Sequence, residues 1–288
     1  MPFPSVSLLS RLCDAPVAVV DVETTGASPR FGDRVTEVGI ARYEADGTRR
    51  DLARLVDPGK RIPANIVALT GITQDMVDGQ PTFGDRLGEV VEMLGGAVIV
   101  GHNVRFDLGF LAAEFRRAGT SLVGELGNPH VLDTVKIARR RFGRGGNGLQ
   151  VLSRRLGVMP TDAHRALADA VTTGETLQRL LDPLGSFECT VLDAVQAQGG
   201  PMPLDPSQDD GLDDLPLELI EALENRGRVR MTYLDARRKE TCREIEPLEI
   251  RRFRGTASLV AWCCMREDRR TFKLDRIVRV ERVAVEAS

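Results

Sequence analysis

Along roughly the first two-thirds of the chain, short apolar runs alternate with longer stretches of helical spacing. Val17–Val22 is a nearly unbroken apolar run bounded by Pro16 and Gly26, the pattern of a strand buried on both faces. Arg34–Tyr43 and Arg50–Val56 are predicted as two further strands, with Asp46-Gly47 as the turn between them. Phe83, Leu87, Val90, Val91 and Leu94 repeat at helical spacing and stop at Gly95-Gly96, which predicts a helix over Phe83–Leu94. Ala97–Val100 is a short buried strand. Asp107–Ala118, Val135–Arg141, Leu149–Leu156 and Arg165–Leu181 are predicted helices. Strands early, helices interleaved and a mostly helical end imply an α/β layer architecture.

The pattern breaks at Gly199–Pro216, GGPMPLDPSQDDGLDDLP, which holds four prolines, three glycines and five aspartates. Such a stretch supports neither element type, and its aspartates repel one another, so it is expected to be an extended linker. After it, Leu217–Asn225 is predicted as one short helix. Val229–Leu234, Arg243–Ile250, Ser258–Cys264, Arg270–Leu274 and Ile277–Val285 follow as strands whose apolar and charged residues alternate, the mark of a half-exposed antiparallel sheet. The expected division is therefore a domain over 1–198, a linker over 199–216 and a small β-rich domain over 217–288. No internal repeat is present.

Composition narrows the class. A length of 288 residues predicts about two domains. Hydrophobic residues at 42% and charged residues at 28% exclude a disordered, collagen-like or disulfide-stapled chain. No apolar stretch approaches the ~18–20 residues of a membrane helix, and the N-terminus lacks a signal-peptide pattern, so no membrane association is expected. Cys13, Cys189, Cys242, Cys263 and Cys264 form no CxxC pair and are read as reduced thiols of a cytoplasmic protein. The net charge of −3 is unevenly spread. From Pro216 to Ser288 there are 17 Lys+Arg against 13 Asp+Glu, or +4, which leaves 22 against 29, or −7, for the rest. An acidic body is thus joined to a mildly basic C-terminal piece.

Three segments carry candidate chemistry. In DVETTG (21–26), Asp21 and Glu23 lie two residues apart on one strand and so face the same way. Two carboxylates at the end of an apolar strand repel each other, and either a bound cation or exposure at the strand end resolves that conflict. In GHNVRFDLGFL (101–111), Asp107 falls in the first turn of a helix, where the helix dipole favours negative charge. In HRALADA (164–170), Asp169 lies on an apolar helix. His164, five residues earlier and so about 140° away round the helix, is expected on the preceding loop.

In that order these three segments resemble the motifs of the DEDDh 3′→5′ exonucleases, the family of the DNA polymerase III proofreading subunit and RNase T. LTGIT (69–73) and VLDT (131–134) resemble further segments of that family. Its sister subclass has a tyrosine four residues before the last acid, where this chain has Arg165, with His164 one residue further back. The resemblance covers about 16–183 and implies an RNase H-like fold, a mixed five-stranded sheet flanked by helices. It implies that Asp21, Glu23, Asp107 and Asp169 hold two divalent cations, Mg²⁺ or Mn²⁺. It makes His164 the general base. Thr24, Thr25 and Gly26 are expected near the terminal nucleotide, Asn103 at a phosphate, and Ile72 or Phe106 against a base or sugar. The basic run Arg139–Arg144 is read either as a strand track or as a solvated helix end.

The C-terminal piece resembles a WYL domain through RTFKLDRI (270–277), REIEPLEI (243–250) and a helix followed by Tyr233, which implies a small Sm-like barrel. At the tripeptide that names that domain the chain reads Ala257-Ser258-Leu259. Arg252, Arg270 and Arg276 are read either as phosphate contacts or as solvated strand-face charges, and Trp262, a stacking platform or a core residue, is expected to pack in the core. Together these readings predict a metal-dependent 3′→5′ exonuclease acting on single-stranded DNA ends, with a C-terminal nucleic-acid-binding or sensing domain. A replication or repair protein is a candidate partner. The alternatives are an RNase T-like exoribonuclease and a non-catalytic regulatory nucleic-acid-binding protein.

Overall fold

The computed structural model describes the chain apart from residues 1–2, 144–145, 160–164, 207–214, 236–238, 254–255 and 284–288, and the side chains at 31, 217, 224, 252, 253, 256, 257 and 275. It divides into two compact units, Met1–Thr25 with Arg34–Asp209 and Gly26–Asp33 with Asp210–Ser288.

In the first unit, β1 (Val17–Thr24), β2 (Val35–Tyr43) and β3 (Arg49–Leu55) form an antiparallel meander. The short α1 (Ala64–Thr70) and α2 (Gln74–Val77) and the longer α3 (Phe83–Leu94) lead to β4 (Val98–Gly101), which returns parallel to β1. Next come α4 (Arg105–Arg117), α5 (Leu122–Leu126) and β5 (Val131–Asp133), which lies parallel to β4. The unit continues with α6 (Thr134–Phe142), α7 (Leu149–Arg155), α8 (Ala166–Leu180) and α9 (Val191–Gln198). The sheet order β3-β2-β1-β4-β5 gives the mixed five-stranded, helix-flanked arrangement expected of an RNase H-like unit.

Strand alternation divides the core in two. Ala18, Val20 and Val22 face a cluster with Phe83, Leu108, Phe110 and Phe115 from α3 and α4. Val17 and Val19 face the other, with Leu132 and with Ala170, Leu177 and Leu180 of α8. Burying a Val or Leu of this kind contributes about 1.5–3 kcal/mol, so both helix layers are held by the same strands. The odd-numbered row of β1 therefore runs under α8, and Asp21 and Glu23 continue it. Of the stretch read as a linker, Met202 and Leu204 are buried in the first of these clusters.

The second unit opens with α10 (Leu217–Asn225), whose Leu219 and Ala222 pack on a sheet built from β6 (Val229–Leu234), β7 (Glu240–Phe253), β8 (Thr256–Cys263), β9 (Asp268–Lys273) and β10 (Ile277–Arg282). The order β10-β6-β7-β8-β9 is antiparallel throughout. Among the described residues β9 and β10 are the outermost strands of this order. Trp262 departs from the core placement expected for it. Ala261 and Cys263 take the inward face of β8, which turns Trp262 outward at 39% exposure. No helix among the described residues is long and apolar enough to cross a membrane.

Candidate active site

β1 runs on past its pairing with β4, which covers only Val17–Val19 opposite Val98–Val100. Beyond it the Val22 N–H has no strand partner on that side, and Asp107 Oδ1 accepts it at 3.0 Å. Asp107, buried in the first turn of α4, is thereby fixed to the main chain between Asp21 and Glu23. On the opposite face of β1, Asp169 comes down from the first turn of α8. One carboxylate oxygen each from Asp21, Glu23 and Asp169 lies within 4.8 Å of the other two. Three of the four expected acids thus converge directly. The fourth, Asp107, lies outside that group but close enough to add to the upward push on the Asp21 carboxyl.

The cluster is electrostatically frustrated. Burial, then the charges of Asp107, Glu23 and Asp169, push the Asp21 carboxyl well above its ordinary value. Burial and the charges of Asp169 and Glu37 push Glu23 up to about 8, with Arg165 pulling the other way. Asp107 is also raised, chiefly by burial, although the Val22 N–H opposes the shift. Like charges held together by the fold need cations or protons to relieve them. Among the described residues the donor set is all oxygen, which fits hard divalent cations such as Mg²⁺ or Mn²⁺.

The other expected site residues fall into place unevenly. Thr24 and Thr25 are buried, and Thr25 is committed to Arg34 through its N–H and its hydroxyl, at 2.8 and 3.0 Å. At Gly26 a Cβ would strike the Asp33 carboxylate at 2.3 Å. Asn103, half-buried, adopts a left-handed backbone (φ 62°), which asparagine tolerates, and its N–H donates to Asp133 Oδ1 at 3.1 Å. Phe106 is partly buried, its ring 4.9 Å from that of Phe110. Ile72 is fully buried in a separate small core with Ile62, Ile66 and Val77, which gives it a packing role where a nucleotide contact was expected. His164 lies outside the described residues, as does the Arg252 side chain. Arg270 is 3.7 Å from Asp268, and Arg276 follows β9. Within the basic run, Arg141 donates to the carbonyls of Arg179 and Leu180 at the far end of α8, and Arg144 lies outside the described residues.

Sequence reasoning missed two polar groups around the acids and one histidine whose partners lie elsewhere in the unit. Gln150 on α7 donates to Asp169 Oδ1 at 3.3 Å. Glu37, 2% exposed on β2, accepts from the Arg165 guanidinium at 2.6 Å and from the Ala166 N–H at 3.0 Å. Its signal was legible: a single acid inside the otherwise buried strand VTEVGIARY. The third is His102, whose Nδ1 sits 2.8 Å from Thr134 Oγ1. Burial pushes His102 down to about 4, with Arg139 adding to the shift, so it is neutral at physiological pH.

Comparisons with known proteins agree with this geometry. The RNase T exonuclease family model matches residues 18–177, and the WYL domain model matches 215–282. The chain is 38% identical over 167 residues to the 3′-5′ exonuclease DinG of Bacillus subtilis, a match covering 58% of this chain and 18% of that protein. It is 36% identical over 197 residues to a DNA polymerase III subunit epsilon-like protein of Rhodobacter capsulatus, covering 65% and 27% respectively. The chain therefore spans less than a third of either relative. In fold, it resembles the nuclease domain of 3′hExo, a DEDDh family member solved with bound rAMP (TM-score 0.52, 16% identity), over 61% of this chain and 96% of that one.

Proposed function

Because the chain belongs to the exonuclease family matched over residues 18–177, we propose that it is a 3′→5′ exonuclease that removes nucleotides from the ends of single-stranded DNA. Its carboxylates Asp21, Glu23, Asp107 and Asp169 would hold two divalent cations, Mg²⁺ or Mn²⁺. The observation that carries this reading is the meeting of Asp21, Glu23 and Asp169 within 4.8 Å from two elements far apart in sequence. When bound, the cations would supply a more acidic attacking water and stabilise charge on the departing 3′ oxygen.

The chain's own residues do the rest. Asp21, Glu23 and Asp107 have raised proton affinity, chiefly through burial, so protons would compete with cations for these oxygens. Of the three histidines, His102 is held neutral by burial and His130 is tied to the Val6 carbonyl. His164, just ahead of the anchored Arg165, is the histidine proposed to take the proton of the attacking water. Thr24, Gly26, Asn103 and Phe106 are proposed to border the terminal nucleotide, with Thr25 shaping the turn through Arg34. Nucleic acid is also the proposed ligand of the second unit, through Arg252, Arg270 and Arg276.

End-labelled single-stranded DNA and RNA, digested in parallel with Mg²⁺ and then with chelator, test the reading. Shortening of the DNA from its 3′ end, lost with chelator, is the expected result. Preferential loss of RNA would reassign the substrate, and an inert protein on both would overturn the proposal.

A further inference from the structure

We infer that Glu37 and Gly39 form a seat on β2 that positions the start of α8, and through it Asp169, against Asp21 and Glu23. The inference rests on the exonuclease reading of that cluster. In the β1–β2 register, Asp21 lies opposite Gly39 and Glu23 opposite Glu37. Directly opposed residues of antiparallel strands point to one face, so the seat and two of the acids share a single row under α8.

Each seat residue meets the helix differently. Glu37 Oε2 accepts the Ala166 N–H at 3.0 Å, one of the N-terminal donors that a helix cannot satisfy internally. The same carboxylate takes the Arg165 guanidinium, with Nη2 2.6 Å from Oε1 and Nε 3.1 Å from Oε2. It therefore grips the two residues that open the helix three and four positions ahead of Asp169. Gly39 sets how close the helix comes. A Cβ there would lie 2.2 Å from both the Ala166 carbonyl carbon and the Leu167 nitrogen, main-chain atoms with no rotamer to escape into. Only glycine admits helix backbone to strand backbone at this separation. One turn further along α8 than Asp169, Gly174 approaches Val19 and the Tyr43 ring, so the same close packing continues along the row. Glu37 and Gly39 are thus positioning residues: their contacts are with the start of α8, and they act by bringing Asp169 into range.

Calorimetric titration of the full chain with Mn²⁺, without nucleic acid, tests this, alongside melting of each variant. Gly39→Ala and Glu37→Ala should lower Mn²⁺ affinity roughly 10- to 100-fold, the scale of losing a group that orients metal ligands. Glu37→Gln, which keeps an acceptor for the Ala166 N–H, should recover most of it. A purely structural role would lower the melting temperature and leave the affinity of the folded fraction unchanged. Should Gly39→Ala fail to fold, the Glu37→Ala and Glu37→Gln pair decides. Wild-type affinity in a folded Glu37→Ala overturns the inference while leaving the nuclease reading intact. A wild-type protein that neither binds Mn²⁺ nor shortens DNA removes the premise and the inference with it.

Discussion

In the first sheet, acids drawn from both ends of the unit are crowded together and at least half-buried, raising one another's proton affinity. In the second sheet, acids and arginines settle their charges with near neighbours. Arg230 meets Glu244 and Arg228 meets Glu246 across β6 and β7, Arg251 meets Glu249 two residues away, and Arg282 meets Glu221 of α10. The contrast shows how a fold separates chemistry from solubility. Exposed pairs of opposite sign relieve each other's charge and contribute little to stability. A half-buried cluster of one sign persists only because its backbone is fixed for other reasons, and it keeps an unmet demand for cations.

The sharpest way to break this comparison is to remove one acid from the crowded cluster. Asp21→Ala or Asp169→Ala should cut 3′-end shortening by at least ~100-fold, as loss of a group acting at the reacting atoms does. The metal-free melting temperature should stay level or rise, because a like charge has gone. Full activity in either variant would reduce the cluster to ordinary buried carboxylates.

A second, intermediate effect lies in the pH dependence of metal-free stability. Glu23 holds its proton up to about 8 in the fold, against an ordinary value of 4.5. Its stabilisation is complete below pH 4.5 and lost as pH rises through about 8, a change on the order of a few kcal/mol. The melting temperature should therefore fall across that window, and either Glu23→Gln or added Mn²⁺ should flatten the slope. A metal-free melting temperature that climbs over the same range would contradict it.

The smallest effect belongs to the second sheet. A double-mutant cycle of Arg230→Ala and Glu244→Ala should show no coupling resolvable in melting temperature. A large coupling would mean that this sheet, too, concentrates charge for a purpose.

Much of the fold was legible because long elements carry long patterns. Phe83–Leu94 and Leu217–Asn225 appear with the bounds their periodicity predicts. β5, with three residues, and α2, with four, are too short for any periodicity to register. The open face of β8 was hidden because LVAWCC is apolar on both sides, so no alternation marks Trp262 as the outward residue. Within the site, the four acids could be named from their motifs, whereas Glu37 showed only as a lone acid in a buried strand, and Gly39 and Gln150 not at all. Their role depends on which strand lies beside β1 and how closely a helix approaches it, and neither is written in local spacing.

The burial of Met202 and Leu204 against the first core has a practical consequence for anyone trimming the protein. Gln198 reinforces it, its amide spanning from the Val131 carbonyl to that of Gly200. A truncation at the glycine pair, where composition first changes, would strip two plugs from a hydrophobic surface and leave a sticky fragment. Cutting beyond Leu204 keeps them, so the recombinant boundary of the proposed nuclease belongs several residues past the point at which its sequence stops looking like one.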